Sequence, residues 1–310
     1  MTGSSIHSIT QAINQKTQGG QSLLTLQIGS GTWEDDRLMI GARSISFEGS
    51  GINETLLMNK ITSKIWLACV IGGRLNIRNI GLRQSSASES YGGMLVLRGD
   101  GTIELTQVVI RQHEQSLKQS SSTIYASAGD IFITDCSFER ASFINRLSPP
   151  SFTAAIYCED KFGLLSINNS IFTQQYSSLI DPPTDEQIRQ QDYIEYGGGC
   201  IVMQNAQILK LQKCNFTQNQ GWRTGVINVQ KMMNNWKFHQ TGTNASSTYF
   251  SITNCNFNDN NALKDNIIQS TSLKRNIGRD IILDHIYTKN EIVYSVQQCS
   301  SSSPVPKIGS

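Results

Sequence analysis

An eight-residue pattern recurs along this chain: apolar, any, apolar, any, any, small or apolar, any, apolar. It reads Leu75, Ile77, Ile80, Leu82, then Ile103, Leu105, Val108, Ile110, then Ile131, Ile133, Cys136, Phe138. It continues as Leu165, Ile167, Ser170, Phe172; Leu209, Leu211, Cys214, Phe216; Phe250, Ile252, Cys255, Phe257; and Ile281, Leu283, Ile286, Thr288. An earlier copy is Ile45, Phe47, Ser50, Ile52. Repetition at spacings of a few tens of residues restricts the chain to a solenoid, an array or a propeller. Apolar residues two apart face the same way on a strand, and the two-residue gap breaks that alternation. Each copy therefore predicts two short strands joined by a tight corner.

A third short apolar segment precedes most copies. It stands at Leu67, Met94 to Leu97, Ile124-Tyr125, Ile156-Tyr157, Ile201-Val202, Val226-Ile227 and Ile267-Ile268. Three strands per repeat, with turns and no helical stretch between them, stack into three parallel sheets around a filled core. A leucine-rich repeat is the competing solenoid, but it needs a further Leu three residues upstream. Those positions hold Gly72, Asp100, Ala128, Phe162, Ala206, Ser247 and Gly278, none of them Leu.

These residues resemble the right-handed parallel β-helices of the pectin-lyase-like superfamily. Ile6, Ile9 and Ile13 lie at helical spacing before the first strand and read as a capping helix. Leu24, Leu26 and Ile28 then run into Gly29-Ser30-Gly31-Thr32-Trp33, followed by Ile45-Ser46-Phe47-Glu48-Gly49-Ser50-Gly51. That succession is similar to the opening of many members. Later rungs are similar to the repeats of polymorphic outer-membrane proteins: Gly198-Gly199-Cys200-Ile201, Phe216-Thr217-Gln218-Asn219 and Phe257-Asn258-Asp259-Asn260. The expected fold is all-β: a right-handed parallel β-helix of three parallel sheets with a short N-terminal capping helix. One domain is expected over 1–295, with a polar C-terminal tail over 296–310.

Composition narrows function by exclusion. Lys plus Arg number 26 and Asp plus Glu 24, so no long-range field gathers nucleic acid. No apolar run reaches the roughly 18 residues that span a bilayer. The start has no basic segment leading into an apolar stretch, so no signal peptide is expected. Seven cysteines match no C-x-x-C spacing. Cys136, Cys214 and Cys255 share one column of the repeat and are expected as stacked core thiols.

Loops carry the candidate site. The insertions 84–91, 112–122, 140–153 and 174–197 all precede the third strand of a rung, so they line one side of the coil; 231–248 lies elsewhere. The 174–197 loop holds Tyr176, Asp192, Tyr193, Glu195 and Tyr196, and Trp222 follows at the same corner. Aromatic rings stack on sugar faces while carboxylates bind their hydroxyls, so these six are the candidate binding residues. The competing reading is a solvated loop with its aromatics folded back onto the rung.

The carboxylates Asp35-Asp36, Asp130 with Asp135, and Asp280 with Asp284 form no ladder on neighbouring rungs and read as turn caps. Neither G-H-G with Asp pairs nor R-x-P-x-x-R is present, so the catalytic signatures of the resembled family are missing. His7, His113, His239 and His285 have no ligand spacing, and Gly197-Gly198-Gly199 lacks a phosphate-loop Lys. No metal or cofactor is expected. Asn79, Asp135, Asn169 and Asn254 sit at the bend, where these residue types tolerate left-handed backbone. The expectation is a non-catalytic β-helix for interaction or surface display, binding polysaccharide or a surface protein through its loop side. The alternative is a polysaccharide lyase or glycoside hydrolase. End-to-end self-association follows if the last rung is uncapped.

Overall fold

The computed structural model describes residues 9, 23–35, 38–59, 66–84, 93–112, 122–147, 150–151, 154–159, 162–180, 199–204, 208–221, 225–230, 250–262, 281–283 and 294–301. These residues wind into a parallel β-helix. The first face stacks Leu23–Ile28, Ser44–Gly49, Gly129–Thr134, Phe162–Asn168, Ile208–Gln212, Phe250–Thr253 and Tyr294–Gln297, with the first halves of Arg74–Gln84 and Thr102–Gln112 in between. The second face stacks the other halves of those two strands with Gly31–Asp35, Thr55–Asn59, Ser137–Leu147, Ile171–Ile180, Asn215–Thr217, Asn256–Asn258 and Ser300–Ser301. The third face runs from Leu38–Ile40 through Ala68–Val70, Gly93–Leu97, Ser122–Ala126, Ile156–Cys158, Ile201–Gln204 and Ile227–Gln230 to Ile281–Leu283. Among the described residues, hydrogen bonds join the first two faces into one bent 19-stranded sheet, and the third is a separate 8-stranded sheet.

The register places like above like. Ile133 pairs with Leu105 and Ile167, and Ile167 with Leu211. On the second face Ile110, Phe138, Phe172, Phe216 and Phe257 follow one another. The four Phe rings stack at centroid distances of 4.4, 5.1 and 5.1 Å, nearly parallel. All are buried, and each large apolar side chain removed from water contributes about 1.5–3 kcal/mol.

The corner between the first two faces is made by single left-handed residues. Asn79, Gln107, Asp135, Asn169, Lys213, Asn254 and Gln298 have φ between 48° and 55°. The expected Asn and Asp positions are thus left-handed, and Gln and Lys serve there as well. Asn169 Nδ2 donates to Asp135 Oδ1 at 2.5 Å, tying two rungs. One residue further, the column Cys136, Ser170, Cys214, Cys255, Cys299 points inward. Cys136 N–H donates to Ser170 Oγ at 3.1 Å and Cys214 N–H to Cys255 Sγ at 3.4 Å. The thiols therefore act as weak acceptors for the turn above, and all seven cysteines are unbridged.

A second left-handed column, Arg140, Gln174, Gln218 and Asp259, ends the second face with φ between 45° and 55°. Behind it lie the buried amides of Gln175, Asn219 and Asn260. Asn219 Nδ2 donates to the Phe172 carbonyl and to Asn260 Oδ1, each at 3.0 Å, while Asn219 Oδ1 accepts from Gln175 N–H at 3.0 Å. Asn260 Nδ2 repeats the contact with the Phe216 carbonyl at 3.1 Å. The F-x-x-N motif is this amide ladder. At the third corner two positions require glycine: a Cβ on Gly73 would lie 1.8 Å from the Arg43 carbonyl oxygen, and Gly129 has φ +78°.

Past Leu38–Ile40, where Met39 is exposed, the third-face strands Ala68–Val70, Gly93–Leu97, Ser122–Ala126 and Ile156–Cys158 are buried on both sides, which explains their apolar runs. Outward from the main core, Cys69, Val96, Tyr125, Tyr157 and Val202 form a second buried cluster with Ala154, against which Trp66 packs.

Four expectations are corrected. Ile281 and Leu283 do not begin a new first-face rung: they pair with Ile227 and Val229 on the third face. The first-face strand of that level is Tyr294–Gln297, so strand pairing runs beyond 295 and reaches Ser301. In the earliest copy, a turn at Gly51 to Glu54 displaces the second half. Thr55 hydrogen-bonds Ser50 N–H, Leu57 pairs with Leu82, and Ile52 is exposed. Finally, 140–147 and 174–180 are paired strand, not loop. Ile9 is helical and buried; the rest of the expected capping helix, with Ile267-Ile268, Ile286 and Thr288, lies outside the described residues.

Burial pushes the Cys136 thiol up to about 12 from its ordinary value of 9.0. Burial raises Cys158 and Cys200 too. A raised folded pKa means stability that is complete below pH 9 and lost as pH climbs toward 12. Ser170 fills the same column, so Cys136→Ser should fold. It should lose less stability than the parent between pH 9 and pH 12, read as urea midpoints; an equal loss would contradict the buried-thiol assignment.

Ile133→Asp or Leu211→Asp places an unpaired charge in the stack and should abolish cooperative folding. A retained β signal in circular dichroism with cooperative melting would refute the inward orientation. Asn219→Ala removes a donor to two carbonyl oxygens and orphans the Gln175 N–H. It should cost about 1–3 kcal/mol in urea denaturation, and an unchanged midpoint would count against the amide ladder.

Candidate functional site

The second-face strands Arg74–Gln84, Thr102–Gln112, Ser137–Leu147 and Ile171–Ile180 run toward the corner that precedes the third-face strands Gly93–Leu97, Ser122–Ala126, Ile156–Cys158 and Ile201–Gln204. Immediately after the inward column of Leu82, Ile110, Phe138 and Phe172 comes an outward one: Arg83, Arg111, Glu139 and Thr173, in register on successive rungs. Strand alternation turns these side chains away from the core. Together with Gln112, Arg140 and Gln174 at the corner, they line a groove of about 330 Å³.

The groove is internally braced. Arg111 Nε contacts Glu139 Oε2, and Ser137 Oγ donates to Glu139 Oε1 at 3.0 Å. Both carboxylate oxygens are therefore occupied. Arg140 Nε donates to Gln174 Oε1 at 3.2 Å, and Gln174 Nε2 passes a hydrogen bond to Gln218 at 3.3 Å. Gln112 Oε1 accepts from Ser142 N–H at 2.8 Å. Among the described residues no carboxylate pairs with Arg83 or Arg140.

Tyr176 is on a strand, paired with Ser142 and Gln220, two residues beyond Gln174. It is 40% exposed and lies two residues past Gln174, the last residue of the groove lining. The loop assignment for Tyr176 was thus wrong because the insertion begins by extending the sheet, not by leaving it. Asp192, Tyr193, Glu195, Tyr196 and Trp222 lie outside the described residues, as do all four histidines.

Of the carboxylates read from sequence as turn caps, Asp35 is buried at the end of the strand Gly31–Asp35, and two others accept hydrogen bonds from the neighbouring rung. Asp130 Oδ1 accepts from Leu164 N–H at 2.9 Å and Asp135 accepts from Asn169. Asp36, Asp280 and Asp284 lie outside the described residues. Among the described residues no group of three His, Cys, Asp or Glu side chains is placed to hold a metal ion. A second, smaller depression of about 250 Å³ lies on the first face over Ser166, Asn168, Lys210, Gln212, Ser251 and Thr253.

The arginines were absent from the sequence reading, although a signal existed. The residue after the fourth apolar position is Arg83, Arg111 and Glu139 in three consecutive copies, each 28 residues from the last.

No family model and no curated protein matches the chain. Among solved structures it is similar to a PL6 family alginate lyase, AlyGC, at 14% identity and a TM-score of 0.31, over 83% of this chain and 43% of that one. The chain thus spans less than half the length of that structure. At this identity and TM-score the likeness says nothing about chemistry here, and the fold rests on the parallel ladders themselves.

Proposed function

We propose that this protein is a glycan-binding parallel β-helix that retains polysaccharide along its second-face corner without cleaving it. The observation that carries the reading is the groove: donors and acceptors fixed on rigid strands, beside the exposed Tyr176. Sugars are held in this way, by amide and hydroxyl hydrogen bonds across the ring edge and aromatic contact on its face. The residues Asp192, Tyr193, Glu195, Tyr196 and Trp222, which follow second-face strands in the sequence, belong to the same proposal. The groove's carboxylate, Glu139, is held at both oxygens by Ser137 and Arg111, which suits a positioned acceptor better than a proton carrier.

A second reading has one observation in its favour. Strand-borne basic residues converging on one face are what a polysaccharide lyase or hydrolase would mount on this scaffold.

The test is retention of the purified chain on immobilised uronate and neutral polysaccharides, with new reducing ends and the ultraviolet absorbance of unsaturated sugars followed in parallel. The expected result is retention without cleavage, weakened about three- to tenfold by Tyr176→Ala. Cleavage that survives repurification would replace this reading with the enzyme one. Absence of retention on every polymer would remove it.

A further inference from the structure

Arg83 and Arg111 face outward on adjacent rungs in direct register, and Arg140 stands at the corner of the next. Neighbouring strands are about 4.8 Å apart, and like charges directly opposite one another weaken a sheet. The fold answers that repulsion only in part. Glu139 takes up Arg111, while Arg140 is steered by the uncharged Gln174. Three guanidinium groups and one carboxylate leave the groove with a net charge of +2, in a chain whose whole formal charge is also +2.

Contrast the first face, where Arg74 is matched by Glu104 at 2.6 Å and Arg78 leans on Asn76 at 3.3 Å. Arg78, like Arg140, leans on an uncharged amide, so what sets the groove apart is the in-register pairing of Arg83 with Arg111 beside Arg140. Guanidinium forks match the planar or tetrahedral oxygens of carboxylate and sulfate groups. Their alignment along the coil axis repeats at the rung spacing, and a chain of sugar rings advances by close to one rung per residue.

We propose that this groove selects anionic glycans, with Arg83, Arg111 and Arg140 binding acidic groups on successive sugars of one polymer. The inference rests on the glycan-binding reading above and assigns its ligand class. The recognised chemistry is an oxyanion, supplied by a uronic acid carboxylate or by a sulfate ester. Binding is salt-sensitive, because partly exposed charges are screened. With arginine charged throughout, carboxylated polymer is released on acidification through its own pKa while sulfated polymer stays bound.

The experiment uses the full chain in affinity electrophoresis through dextran, polygalacturonate and dextran sulfate, at low and high salt and at pH 7 and 3. Arg83→Gln/Arg140→Gln is compared with Arg74→Gln/Arg78→Gln, which removes the same charge from the first face. Melting curves check that both variants fold. The expected result is tighter retention on at least one acidic polymer than on dextran, lost tenfold or more in the groove variant alone. Equal loss in both variants overturns the inference in favour of non-specific charge attraction, and so does undiminished binding by the groove variant. Dextran retained as well as the acidic polymers, with dependence on Tyr176, overturns the charge selection but leaves the glycan-binding reading standing. Binding to none of the three overturns both.

Discussion

Each rung of this coil takes its backbone hydrogen-bond partners from the rungs on either side. A parallel ladder of that kind lets strands of three to six residues persist, because every N–H and C=O along them meets a neighbour above or below. It also fixes the vertical register, and register decides everything else. Once Phe138 stands over Phe172, the corner residue, the thiol column and the buried amide must fall into line as well. The corners are where the demand is severe. A left-handed residue turns the chain, and the inward residue of the following rung accepts the N–H that the turn leaves. Ser170 and Cys255 do this at the first corner, Asn219 and Asn260 at the second.

The inward columns were legible because their spacing within a rung is invariant while the loops between rungs vary. Leu75, Ile77, Ile80 and Leu82 carry the same instruction as Leu209, Leu211, Cys214 and Phe216. Legibility failed where local pattern has two solutions. Ile281 and Leu283 alternate as any strand does, and only pairing with Ile227 and Val229 assigns them to the third face. At Ser50, nothing in the local spacing says that a four-residue turn intervenes before Thr55 and Leu57 complete the rung. Cys299 closes the thiol column, yet the polar residues around it disguise a strand as a tail.

The site was less legible for a related reason. Sequence reading looked to loop tips, where aromatics and carboxylates concentrate in 174–197, and found Tyr176. The groove instead arises from strand residues that are far apart in sequence and adjacent only through stacking. Arg83, Arg111 and Glu139 are ordinary surface positions one at a time. In register they form a charged stripe whose balance of three guanidinium groups to one carboxylate is a property of the stack. Over its first face the same scaffold carries one cation, Lys210, among polar side chains that line a smaller depression.

The account depends most on the register, which spin-label distances read directly. Gln27 and Gln212 lie in one outward column six rungs apart, and Gln297 is two rungs further. At about 4.8 Å per rung, labels attached at Gln27 and Gln212 should be about 29 Å apart. Labels at Gln27 and Gln297 should be about 38 Å apart, with both distributions narrow. Separations that grow in that proportion would establish the continuous in-register stack. Distances that fail to increase with rung number, or distributions spread over tens of ångströms, would contradict it and the groove built on it.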